Sequence, residues 1–131
     1  MVFENINQAK ECLIEWQKRL YLDDWLIKIE FGDCDEDALA HINTNHDMKT
    51  AKITFSKNVE KWQREETFYK YFAEKILVHE LLHIIFDMPY FKETVECSDF
   101  KLQQHQKVEF MARSLIMTKY NLNKSWFLYE P

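Results

Sequence analysis

Apolar positions along the 131-residue chain change their spacing several times, and each change marks an element. Ile6, Ala9, Leu13, Trp16 and Leu20 recur every three or four residues, the stripe of an amphipathic helix that Asn5 or Asn7 can cap. After Asp23-Asp24 the period drops to two. Trp25, Ile27, Ile29 and Phe31 alternate with Leu26, Lys28 and Glu30, which predicts a strand with one buried face. An acidic turn over 32–37 leads to two more short strands, 39–43 and 50–55, joined by 44–49. A loop and helix start fill 56–66, and a long helix follows over about 67–87, ending ahead of Pro89 because a residue before proline is pushed out of the helical region. A connection over 90–98 precedes a last helix at about 99–120, whose inward stripe reads Leu102, Val108, Ala112, Leu115 and Ile116. The aromatic tail, 121–131 with Trp126-Phe127-Leu128-Tyr129, is expected to fold back onto the body. The pattern predicts an α+β fold of one domain, 1–131, with its core at about 25–120.

One run inside the apolar helix breaks its own logic. His79-Glu80-Leu81-Leu82-His83 sits within Ile76-Leu77-Val78 and Ile84-Ile85-Phe86. Charged groups enter so apolar a segment almost only when paired or bound to metal. Two imidazoles four residues apart lie on one helical face and can reach a single ion. Glu80, about 100° further round the helix, can hold a water there without ligating. This is the H-E-x-x-H arrangement of zinc peptidases, with the glutamate as general base. The competing reading is a core helix whose histidines are merely hydrogen-bonded.

Catalytic zinc takes three protein ligands and leaves a fourth position for water. After His83 the candidates are Asp87, Glu93, Glu96, Asp99, His105 and Glu109. Glu109 falls within the inward stripe of the last helix, where an unpaired carboxylate costs several kcal/mol. It is the favoured third ligand, with His105, one turn earlier on the same side, as the alternative. The two could also simply hydrogen-bond to each other as an i,i+4 pair.

Residues 25–116 resemble the small single-domain metallopeptidase-like proteins, often phage- or prophage-encoded, that share a gluzincin-type zincin core. The resemblance is carried by Trp25-x-Ile27-x-Ile29, Ala40-x-Ile42, Ala51-x-Ile53, Ile76 to His83, and His105-Gln-Lys-Val-Glu109-Phe-Met-Ala112. Only the H-E-x-x-H element is specific. The resemblance implies a minimal zincin-like domain in which a glutamate of a downstream helix, here Glu109, completes the zinc site. A His105 ligand would bring it closer to SprT-like proteins. Better-known gluzincins carry an acidic residue one turn after that glutamate to orient the first histidine, and this chain has Arg113 there, with Asp87 and Asp99 as substitutes.

Composition narrows the alternatives. A single glycine and two prolines leave no phosphate loop, dinucleotide fingerprint or nucleophile elbow, and no glycine-rich deformylase motif. The formal net charge of −5 gives no general attraction to nucleic acid or anionic membrane. Lys57, Lys61 and Arg64 read as the solvated side of a helix start. Three scattered cysteines without C-x-x-C, and no recognisable signal peptide, fit free thiols in a reducing cytoplasm. The carboxylates of 33–37 lack the glycine and terminal glutamate spacing of a calcium loop. His41 and His46 read as ordinary polar residues, although His41 could point into a cleft.

The expected activity is peptide-bond hydrolysis of a peptide or protein substrate, with zinc held by His79, His83 and Glu109 (or His105) and Glu80 moving the proton. His105, Tyr90 and Tyr120 are candidate oxyanion donors. The substrate is expected to lie extended along a sheet edge within 39–55. The alternative is a catalytically inert zincin-shaped protein that binds or inhibits a partner.

Overall fold

The computed structural model describes residues 5–34, 38–57, 71–87 and 98–123, with only the backbone for 98–101. Its elements in chain order are α1 (Ile6–Arg19), β1 (Leu26–Gly32), β2 (Ala40–Asn45), β3 (Thr50–Ser56), α2 (Phe72–Phe86) and α3 (Ser98–Tyr120). The expectations for 58–70, for the tail over 124–131, and for Glu93, Glu96, Tyr90 and the Asp99 side chain lie outside the described residues. So do Lys61 and Arg64.

Local chemistry explains the helix ends. Asn5 caps α1, its side chain accepting from the Gln8 amide at 3.0 Å. At the other end Leu22 N–H donates to Gln17 O at 2.7 Å and Tyr21 N–H to Lys18 O at 3.3 Å, the paired bonds that close a helix on a left-handed residue. That residue is usually glycine. In this glycine-poor chain Tyr21 takes the position, with φ 57°, and Asn121 does the same after α3 with φ 54°.

The three strands form one mixed sheet in the order β1-β3-β2, with β1 parallel and β2 antiparallel to β3. The register aligns Ile29, Ile53 and Ile42, and likewise Phe31, Phe55 and Ala40, on one face. Ile53 and Phe55 are fully buried there. Glu30, Thr54 and His41 share the opposite face, where Lys52 pairs with Glu30 at 3.4 Å. His41 is therefore carried on the face opposite the core.

β2 keeps one edge without a strand partner among the described residues. Ser56 N–H donates to Leu39 O at 2.8 Å. Ladder alternation then turns the backbone groups of Ala40, Ile42 and Thr44 toward the open edge.

α2 is apolar nearly all round and correspondingly buried, with Ala73, Leu77, Val78 and Leu81 fully enclosed. It packs against α3, β2 and α1. From α3 it receives Val108, Ala112 and Ile116, all fully buried, with Leu115 partly so. Leu102, expected in this stripe, is instead 57% exposed. It lies about 80° round the helix from Ala112, per the 3.6-residue period, at the stripe's margin. Gln104 reaches back to the Phe86 carbonyl and satisfies an acceptor at the end of α2. His46 does likewise. Its Nε2 lies 3.0 Å from the Ile84 carbonyl, which can only accept, so that nitrogen carries the proton. Trp25 braces the ring edge-on at 5.3 Å.

A second buried polar cluster joins all three helices. The fully buried Glu74 carboxylate accepts from Trp16 Nε1 at 2.9 Å, from Lys119 Nζ at 2.8 Å and from the Tyr120 hydroxyl. Burial by itself raises a carboxyl's pKa, but the Lys119 ammonium and the Tyr120 hydroxyl overcome it and hold Glu74 below its ordinary value. A depressed folded pKa contributes stability that is present above the unfolded value and lost as pH falls through the folded one. The native chain should therefore lose stability progressively below about pH 4, the ordinary glutamate range. Glu74→Ala, which takes the acceptor from the buried Trp16 indole and leaves the Lys119 ammonium with Glu15 at 2.7 Å, is expected to cost about 1–3 kcal/mol in urea denaturation at neutral pH and to weaken that acid dependence.

Candidate metal centre

α2 and α3 lie side by side, and each contributes imidazole to the same place. His79 and His83 lie one turn apart on the inner face of α2, their rings edge to face with centroids 5.0 Å apart. His105 faces them from α3, 4.9 Å from the His79 ring and 6.0 Å from the His83 ring. One ligand atom from each of the three falls within 4.8 Å of the others, close enough to bind one metal ion. The residue that completes the cluster is thus His105, not the favoured Glu109.

Glu109 is at the site, but in another role. Its Oε2 lies 2.8 Å from His79 Nδ1, and its Oε1 takes Lys75 Nζ at 2.8 Å and Arg113 Nε at 3.3 Å. Burial would raise this carboxyl, but the His79 hydrogen bond and the Lys75 charge hold it well below the carboxylate range. An ionised carboxylate can only accept, so His79 donates from Nδ1 and presents Nε2 to the site. Asp87 does the same for His83, Oδ2 to Nδ1 at 2.8 Å. The orienting acid that seemed displaced by Arg113 is supplied by Glu109 for the first histidine and by Asp87 for the second.

These observations bear on whether the residues fit a metal. Each motif imidazole is fixed in the tautomer that presents Nε2. The partial desolvation of His105, reinforced by any positive charge on the neighbouring His79 and His83, pushes it below its ordinary pKa. Three imidazoles with carboxylates behind two of them form a donor set that suits zinc and other first-row divalent ions.

Glu80 points into a cavity of about 290 Å³ lined also by Ala38, Leu39, Ala40, Ile76, His79 and His105. Burial raises its carboxyl above the ordinary value, against the opposing influence of His79, His83 and His41. A carboxylate kept among histidines without the cations that surround Glu109 is one suited to take up a proton. The cavity runs beneath the start of β2, so the open strand edge borders the imidazole cluster.

Other expected residues stand elsewhere. Tyr120 is bound to Glu74, fifteen residues along α3 from His105 and so about 22 Å away, which removes it as an oxyanion donor. His41 and His46 are not among the cavity's lining. Lys75, which sequence reasoning missed, does line it. The available signal was a lysine one turn before His79 in an otherwise apolar helix.

No family model, no curated protein sequence and no solved structure matches the chain. No helix among the described residues is long and apolar enough to cross a membrane.

Proposed function

We propose that the protein is a zinc-dependent peptidase built on a minimal zincin-like fold, with His79, His83 and His105 as the metal-holding residues and Glu80 as general base. The observation that carries this reading is the clustering of three imidazoles, two of which, His79 and His105, line one cavity with Glu80 beside a strand edge that is open among the described residues. A three-histidine set is nearer the SprT-like arrangement than the gluzincin one. A zinc ion held there supplies Lewis acidity, polarising a carbonyl and lowering the pKa of water toward about 7.

The chain's own groups supply the rest. Glu80 accepts a proton from the attacking water and returns it to the leaving amine. Ala40, Ile42 and Thr44 offer backbone donors and acceptors to an extended peptide, which would pair with β2 as a further strand. The small side chains Ala38 and Ala40 leave room between that strand and α2. The Cys12 and Cys34 thiols fit a reducing compartment, in keeping with a cytoplasmic setting. The inert, partner-binding alternative drew on the small size of the chain, its aromatic tail and the missing orienting acid, and the contacts of Glu109 and Asp87 speak against the last of these.

Protein purified without a chelator or a histidine tag is expected to carry one equivalent of zinc by elemental analysis. Chelation should stop peptide hydrolysis and zinc should restore it. Absence of any bound metal after zinc addition would overturn the reading, and a stable zinc complex that cleaves no member of a diverse peptide library would leave only the inert alternative.

A further inference from the structure

Lys75 sits one helical turn before His79, its side chain only 8% exposed, with Nζ 2.8 Å from Glu109 Oε1. It also lies 4.9 Å from the centre of the Phe72 ring. A lysine so deep in an apolar helix must be compensated, and Glu109 compensates it. The two oxygens of that carboxylate are divided between tasks: Oε1 faces Lys75 and Arg113, Oε2 faces His79 Nδ1. Arg113 is the weaker holder, at 3.3 Å and 36% exposed.

We propose that Lys75 is a positioning residue of the metal centre: by holding Oε1 it keeps Glu109 as the hydrogen-bond acceptor of His79 and out of the metal's coordination shell. The physical reason is competition. A carboxylate one turn from His105 is itself a capable ligand, and only a cation of fixed position favours the outward arrangement. Lys75 thereby decides that the centre is built from three histidines instead of two histidines and a glutamate. This inference rests on the metal reading above, since it concerns which groups hold the ion.

The test uses the full chain and two probes, zinc affinity by chelator competition and the d–d absorption spectrum of the cobalt(II) form. Lys75→Met is expected to weaken zinc binding by about 10–100-fold, the usual effect of removing an outer-sphere partner, and to change the cobalt spectrum as Glu109 approaches the ion. Lys75→Arg, which keeps the cation, should restore both. The control against simple misfolding is the pair of variants in a Glu109→Gln background. There the carboxylate that Lys75 holds is gone, and adding Lys75→Met should change zinc affinity by less than about twofold, because residues that act through one another are not additive. A Lys75→Met protein with native affinity and cobalt spectrum would overturn the proposal, as would an equal loss in the Glu109→Gln background. If the native chain itself binds neither zinc nor cobalt, the metal reading fails first and Lys75 falls with it.

Discussion

Glu80→Gln is expected to bind zinc as the native chain does while hydrolysing peptides roughly 10²–10⁴ times more slowly, the loss that follows removal of a general base. The amide matches the carboxylate in shape but cannot accept a proton. Glu80 borders the cavity and is 8% exposed, so the substitution introduces no new volume and removes a charge that burial disfavours. Folding stability should therefore be unchanged or slightly higher. Single-turnover hydrolysis, zinc stoichiometry and thermal unfolding measured on the same sample separate these effects. Native turnover in this variant would take Glu80 out of the mechanism and leave the imidazole cluster as a metal site without the proposed chemistry.

The second large effect distinguishes His105 from Glu109. His105→Ala removes one of the three clustered nitrogens and should abolish tight zinc binding, a larger loss than the about 10–100-fold typical of an outer-sphere change. His105 is exposed on α3, so its removal should leave the fold intact. Glu109→Ala should behave in the opposite sense. Zinc binding falls within that smaller range, while stability suffers because Lys75 loses the carboxylate 2.8 Å from its ammonium. Chelator competition together with urea denaturation of the metal-free proteins reads both quantities. The reverse ranking, with zinc lost on replacing Glu109 and kept on replacing His105, would restore the glutamate as ligand.

Much of the fold was legible because period and burial are tied by geometry. The two-residue alternation from Trp25 to Phe31 gave the inward face of β1 correctly, since side chains on a strand must alternate. Helices α1 and α3 followed from their stripes, and the stop of the motif helix near Asp87 from Pro89. What the stripe of α3 could not say was where along its length the packing ends, which is why Leu102 was placed inward although it is exposed. Sheet order was likewise beyond local pattern. Nothing in three short strands says that β3 is central or that β1 runs parallel to it, because pairing is a choice among distant segments.

The site divides in the same way. The histidines of α2 and their glutamate were legible because the helical period alone places residues i and i+4 on one face. The same holds for Asp87, one turn beyond His83 and hydrogen-bonded to it. Partial burial was equally predictable for Glu109, but its contacts were not: a carboxylate on an inward face needs a partner, and the sequence could not tell a metal from a lysine. Lys75 stands thirty-four residues earlier, and only the packing of α2 on α3 brings its ammonium to that carboxylate.

By itself, then, the sequence determined the helices, the strand faces and the motif pair, all of them consequences of short-range periodicity. The tertiary structure alone decided that His105 meets His79 and His83 and that Glu109 turns to His79 Nδ1 and Lys75. It also decided that the β2 edge borders them. Those outcomes depend on the rotation and axial offset of one helix against another, which close packing of Val108, Ala112 and Ile116 sets and no local pattern records.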